Sequence, residues 1–175
     1  VSQIEKITGE LRALTAGIEL AQGSAAAADR QAQETASRAA GAGFVAVAAG
    51  VARVRTAITG IQGGLGSLAG SIGEATKAAA AVPNEATPQE TIAGLAPVQS
   101  AVDAARDAAA GAITGVGEAQ QLVAMVLQGG QPGPLLQALE AIKQVLVLVV
   151  ARTGGARQAV EAAIAQARQL GSSGN

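Results

Sequence analysis

From Phe44 to Ala75 the chain reads FVAVAAGVARVRTAITGIQGGLGSLAGSIGEA, and its apolar side chains fall at Phe44, Val47, Val51, Val54, Ile58, Ile61, Leu65, Leu68, Ile72 and Ala75. Steps of three and four residues hold these positions on one stripe of a helix, and only another helix keeps such a stripe out of water. Three more stretches carry the same repeat. They are Ile4-Ile7-Leu11-Leu14-Ile18-Ala21-Ala25-Ala28, Leu95-Val98-Val102-Ala105-Ala109-Ala112-Val116-Ala119-Val123-Val126 and Leu139-Ile142-Leu146-Val149-Thr153-Ala156-Val160-Ala163-Ala167-Leu170. No seam position is charged. Four such seams predict an all-α chain, folded as one elongated antiparallel up-down-up-down four-helix bundle with heptad, coiled-coil-like packing.

Punctuation between the seams agrees with this reading. Ser2 and Glu5 form a capping-box pattern that starts a first helix, and the Gly41-Ala42-Gly43 stretch ends it. The second helix begins at Phe44 and stops near Val82, ahead of Pro83. Thr87-Pro88-Gln89-Glu90 supplies an N-cap, a proline at the first helical position and an acid at the third. Gly129-Gly130 ends the third helix, Pro134 starts the fourth and Gly171 closes it, leaving the last residues as a frayed tail. The expected helices are about 3–40, 44–82, 88–128 and 134–170, within a single domain over 1–175. Short connections make sequential helices antiparallel neighbours. Ser71-Ile72-Gly73-Glu74-Ala75 returns as Gly115-Val116-Gly117-Glu118-Ala119, and Pro88 returns as Pro132 at the same offset, which suggests duplication of a helix-plus-turn unit.

Composition narrows the chemistry. The chain of 175 residues has 12 Lys+Arg against 13 Asp+Glu, a net charge of −1 that offers no field for nucleic acid. It has no Cys, His, Trp or Tyr, and Phe44 is its only aromatic residue. The usual general base, the usual metal ligands and any base-stacking platform are therefore missing. Every acid lies off the seams, so a carboxylate-bridged metal centre inside the bundle is not expected. The glycine clusters at 63–66 and 128–131 lack the lysine and the strand of a phosphate loop. No enzyme activity and no cofactor are expected.

Charges gather toward the helix ends. Lys6 with Glu10, Arg30 with Glu34, Glu34 with Arg38, Asp103 with Arg106 and Arg157 with Glu161 are spaced for pairing along a solvated helix face. The segments Leu20–Ala28, Thr56–Gly73, Ala108–Gly117 and Gln144–Ala151 are uncharged. Folding the chain at its turns brings them to one level as an uncharged belt. Within the belt, Val145-Leu146-Val147-Leu148-Val149-Val150 places only Leu146 and Val149 on the seam. Val145, Val147, Leu148 and Val150 are the candidate interaction surface, unless flanking helices cover a wide apolar face. The second helix carries Gly60, Gly63, Gly64, Gly66, Gly70 and Gly73. Spacings such as Gly60–Gly64 and Gly66–Gly70 suit close helix contact, and the alternative is a soft helix. Its uncharged window is too rich in Gly, Ser, Thr and Gln to span a membrane.

Arg38-Ala39-Ala40-Gly41-Ala42-Gly43-Phe44 with Arg53-Val54-Arg55, Val126-Leu127-Gln128-Gly129-Gly130-Gln131-Pro132-Gly133-Pro134-Leu135, and Gly154-Gly155-Ala156-Arg157-Gln158 with Ala167-Arg168-Gln169-Leu170-Gly171 resemble an uncharacterised actinomycete family of Ala/Gly-rich helical proteins. The resemblance implies a bacterial host and supplies no activity or site residues. More loosely, a small helical chain opening on the polar VSQIEKITGELR resembles the substrates of type VII secretion, although their Trp-x-Gly turn is missing.

These features point to a non-catalytic helical interaction or scaffold protein, binding itself or another helical protein. A phasin-like amphipathic coat of a hydrophobic surface is the alternative, as is a leaderless secreted protein. Contact with a membrane or other hydrophobic surface is expected to be peripheral, without spanning. The expected location is cytoplasmic, or secreted without a cleaved signal peptide.

Overall fold

The computed structural model describes residues 2–130 and 132–174; Val1, Gln131 and Asn175 lie outside the described residues. It contains four helices: α1 (Gln3–Gly41), α2 (Val45–Ala80), α3 (Pro88–Val126) and α4 (Gly133–Ser173). Among the described residues there is no strand. The helices form a ring in which α1 packs on α2 and α4, and α3 packs on α2 and α4; among the described residues no backbones approach closely across the diagonals.

Two caps form as the sequence dictates. The Glu5 N–H donates to Ser2 Oγ at 3.1 Å while the Ser2 N–H donates to Glu5 Oε2 at 2.9 Å. Thr87 and Glu90 repeat the exchange at 3.2 and 2.8 Å, with Pro88 opening α3. These bonds satisfy amide groups that the first turn of a helix leaves free. Gly43, at φ 84, reverses the chain between α1 and α2, in a region where a Cβ would be strained.

Boundaries differ from the sequence reading at four places. Phe44 is the N-cap of α2 and not its first seam residue; it is 63% exposed. α2 ends at Ala80, where Ala81 and Val82 close a tight turn onto the carbonyls of Lys77, Ala78 and Ala79, so the chain leaves the helix before Pro83 is reached. α3 stops at Val126 and not near residue 128, with Leu127 as its C-cap. Gly171 does not close α4, which continues to Ser173 with Gly174 as its cap. The hydroxyls of Ser172 and Ser173 both donate to the Gln169 carbonyl and extend that last turn.

The seams supply the core. From Ile7 to Ala32 on α1, Val51 to Ala79 on α2, Leu95 to Val123 on α3 and Leu135 to Ala167 on α4, the repeating apolar side chains are buried. Seam ends fray: Ile4, Val47 and Val126 are partly buried, and Leu170 is exposed. Gly155 packs against Glu10, and Leu170 lies further from Gly155 than Gln3 does from Glu10; α4 outruns the helix that would cover it. Thr153, the polar seam residue, donates its hydroxyl to the Val150 carbonyl at 2.6 Å and is thereby satisfied in the core.

Side-chain size along the core is uneven. On α1 the buried positions are Ile7, Leu11, Leu14 and Ile18, then alanines at 21, 25, 28 and 32. On α4 they run Leu135, Leu139, Ile142, Leu146 and Val149, then mostly Thr and Ala from Thr153 onward. Pro97 sits inside α3 on its exposed side, so the Ala93 carbonyl that it cannot bond faces water.

Candidate interaction surface

α4 carries four candidate residues, and the ring of helices divides them. Val145 and Val150 are half-buried and pack against the core, beside α4's seam. Val147 is 50% exposed and Leu148 64% exposed, so neither is covered by a flanking helix. Leu146 and Val149 between them are buried, as the repeat requires.

The apolar surface extends onto α1 through Leu20, also 64% exposed, which the sequence reading placed in the belt but not on the surface. A Cβ on Gly17 would stand 3.0 Å from Val149, so Gly17 faces α4, and Leu20 lies one turn along on that same side. Gly155 faces Glu10 of α1, and Leu148 lies two turns before it on the α4 stripe. Leu20 and Leu148 therefore flank one boundary, that between α1 and α4. The signal was present in the chain: both are leucines off the seam in an uncharged stretch. The belt itself is not continuous, because exposed Glu19 lies at this level of α1.

A second exposed apolar group was not anticipated. Phe44, Val45 and Met125 are exposed near the turns that join α1 to α2 and α3 to α4. Phe44 lines a cleft of about 300 Å³ there with Gln31, Thr35, Arg38, Leu127 and Leu135.

Electrostatics around these surfaces is sparse. Of the five pairs expected along single helices, Arg157–Glu161 closes, at 3.0 Å. The other ion pairs among the described residues join neighbouring helices: Arg55 with Asp29 at 3.0 Å, and Arg157 with Asp103 at 3.3 Å. Asp103 thus reaches across to α4 and not along α3 to Arg106. Gln120 Nε2 donates to Glu140 Oε2 at 2.9 Å, a second tie between α3 and α4. The Asp29 hydrogen bond and charge hold the Arg55 guanidinium pKa above its ordinary value. Hydrogen bonds from the Thr87 backbone and hydroxyl environment hold the Glu90 carboxyl below its ordinary range. Both groups are on the surface and tie structure together.

Among the described residues no cluster of three or more His, Cys, Asp or Glu is placed to hold a metal ion. No buried side-chain nitrogen or oxygen among them lacks a hydrogen-bond partner.

The glycines of α2 from Gly60 to Gly73 do not serve the close approach that their spacing suggests. A Cβ added at Gly60, Gly63, Gly66, Gly70 or Gly73 would meet nothing within 4 Å, and at Gly64 it would make ordinary contact with Ala112 at 3.8 Å. Tight approaches lie elsewhere, at Gly50 near the start of α2, where a Cβ would stand 2.6 Å from Val126 Cγ1, and at Gly94 of α3, where it would stand 2.8 Å from Val82 Cγ2. Together with α3, the α2 glycines leave an open groove of about 460 Å³ lined by Gly60, Ile61, Gly64, Gly111, Gly115 and Glu118, among others.

α4, and not α2, is the helix long and apolar enough to cross a membrane among the described residues. One 18-residue window has a mean hydropathy of 1.6 and is 28% buried in the fold.

Residues 86–172, spanning α3 and nearly all of α4, match a family of unknown function (DUF6244). The likeness to an uncharacterised family is thus established over this part of the chain. No curated protein and no solved structure matches the chain.

Proposed function

We propose that the chain is a non-catalytic helical interaction protein, built as an antiparallel up-down-up-down bundle with heptad seams. On this reading it associates with a second copy or another helical protein through the outer middle of α4. The antiparallel course is supported by contacts whose residue numbers rise on one helix as they fall on the next. Glu10–Gly155 and Gly17–Val149 behave so for α1 and α4; Gly50–Val126, Gly64–Ala112 and Val82–Gly94 do so for α2 and α3. Heptad packing is supported by unbroken three-and-four spacing of the buried positions on all four helices.

The observation that carries the association reading is the exposure of Val147 and Leu148 in the most apolar segment of the chain, beside exposed Leu20. Side chains of this size and grouping lose free energy by staying in water, about 25 cal/mol per Å² of apolar surface. Sedimentation against concentration tests the reading. Val147→Lys with Leu148→Glu leaves helicity and melting temperature unchanged and removes the assembly. A parent that sediments as a monomer throughout overturns self-association.

A second reading, the coat of a hydrophobic surface, draws on the apolar α4 window. It requires the parent to float with lipid particles and the double variant to stay in solution.

A further inference from the structure

We propose that the apolar outer face of α4 docks head to tail into the α2–α3 groove of a second copy of this chain. This rests on the association reading above and names the surface that receives α4.

The groove is an unexplained expense of the fold. Gly60 and Gly111 each cost up to about 1 kcal/mol relative to alanine in a helix interior. A Cβ at either would meet open space, so neither glycine is needed to bring α2 and α3 together. What they do is remove side chains from a concavity floored by Ile61 and Ala112. The opposite side of the molecule carries the complementary feature, the exposed side chains of Leu148 and Leu20, which form the ridge of this proposal.

Ridge and groove are placed to meet. The α1–α4 and α2–α3 boundaries are opposite sides of the four-helix ring. Their heights agree as well. Asp103 pairs with Arg157 and Gln120 with Glu140, fixing α3 beside α4. Leu148 falls midway between Glu140 and Arg157, and Gly111 falls midway between Gln120 and Asp103. A copy translated sideways, without sliding along its axis, therefore sets ridge against groove.

Charge suits this arrangement as well. Lys143 and Arg152 bracket the apolar segment of α4, and Glu118 lines the groove. Glu74 stands further along α2, where Gly73-Glu74-Ala75 repeats Gly117-Glu118-Ala119. Arg53 lies beyond Glu118, at a separate cleft beside Gly50. Among the described residues Lys143, Arg152, Glu118 and Glu74 make no ion pair within the chain. Ridge in groove brings Lys143 to the level of Glu118. Because the two surfaces are different and lie on opposite faces, one contact leaves a free ridge and a free groove, and growth continues beyond a dimer.

Two variants and their mixture decide the matter by sedimentation velocity, with circular dichroism to verify folding. Gly60→Leu with Gly111→Leu fills the groove in open space and keeps the helices. Val147→Lys with Leu148→Glu removes the ridge. Each alone should be monomeric, and an equimolar mixture should form a dimer and stop, because one intact ridge meets one intact groove. Gly9→Leu, also in open space but far from the groove, should assemble as the parent does. Glu118→Lys, which leaves the packing untouched, should weaken parent assembly by about two- to fivefold.

A groove-filled variant that assembles like the parent overturns the proposal while the association reading stands. A mixture that remains monomeric, or a parent that stops at a dimer, also overturns it. A parent that is monomeric at every concentration removes both.

Discussion

Leu146 and its neighbour Val147 differ by one position and by their whole environment, the first fully buried and the second half exposed. Leu146→Asp places a carboxylate in the core with no cation to meet it, at a cost on the order of 4 kcal/mol. Its melting temperature should collapse, whereas the Val147→Lys, Leu148→Glu variant melts with the parent. A Leu146→Asp protein melting within a degree or two of the parent would show that α4 buries a different face. Glycines divide the same way. Gly60→Ala should stabilise the fold by up to about 1 kcal/mol, since the new methyl meets open space. Gly50→Ala should gain nothing or lose stability, because Val126 must move out of its way. Urea melts of the two variants, compared at equal slope, read the difference directly.

At the scale of the element, the caps and seams were the legible part of the sequence. Ser2–Glu5 and Thr87–Pro88–Glu90 announced two helix starts correctly because their bonds are local, needing only residues three apart. Helix ends were harder to read: Ala80, Val126 and Ser173 end their helices at positions set by turn geometry and by how far the neighbouring helix extends. Surface placement was legible where one helix decides it, as for Val147 and Leu148. It was not legible where two helices meet, so the joint contribution of Leu20 and the α2–α3 groove emerged only from the fold. Thr87→Ala should cost about 1 kcal/mol by leaving the start of α3 uncapped. Its partner has a pH signature. Glu90 has a folded pKa below its ordinary value of 4.5, so its contribution is present above that value and is lost as pH falls through the lower folded one. Thermal melts should therefore be flat from about pH 6 to 8, where no histidine titrates, and should decline in acid. Glu90→Gln should remove part of that decline; an unchanged acid limb would place the sensitive carboxylate elsewhere.

For the whole molecule, circular dichroism should give a spectrum dominated by helix without sheet, and appreciable sheet content would contradict the four-helix fold. The uneven core carries a consequence beyond stability. Ile7, Leu11, Leu14 and Ile18 occupy one half of α1 and alanines the other, while α4 has its large side chains first and its small ones last. With Glu10 beside Gly155 and Gly17 beside Val149, the bulky half of α1 lies along the slender half of α4, and the alanine half of α1 along Leu135–Leu146. Reversing either helix would crowd bulk against bulk at one end and open a void at the other. A heptad pattern alone is indifferent to polarity, since it reads the same from both ends. Here the gradient of side-chain volume writes an arrow along α1 and another along α4, and the two arrows support the opposite senses proposed for these helices.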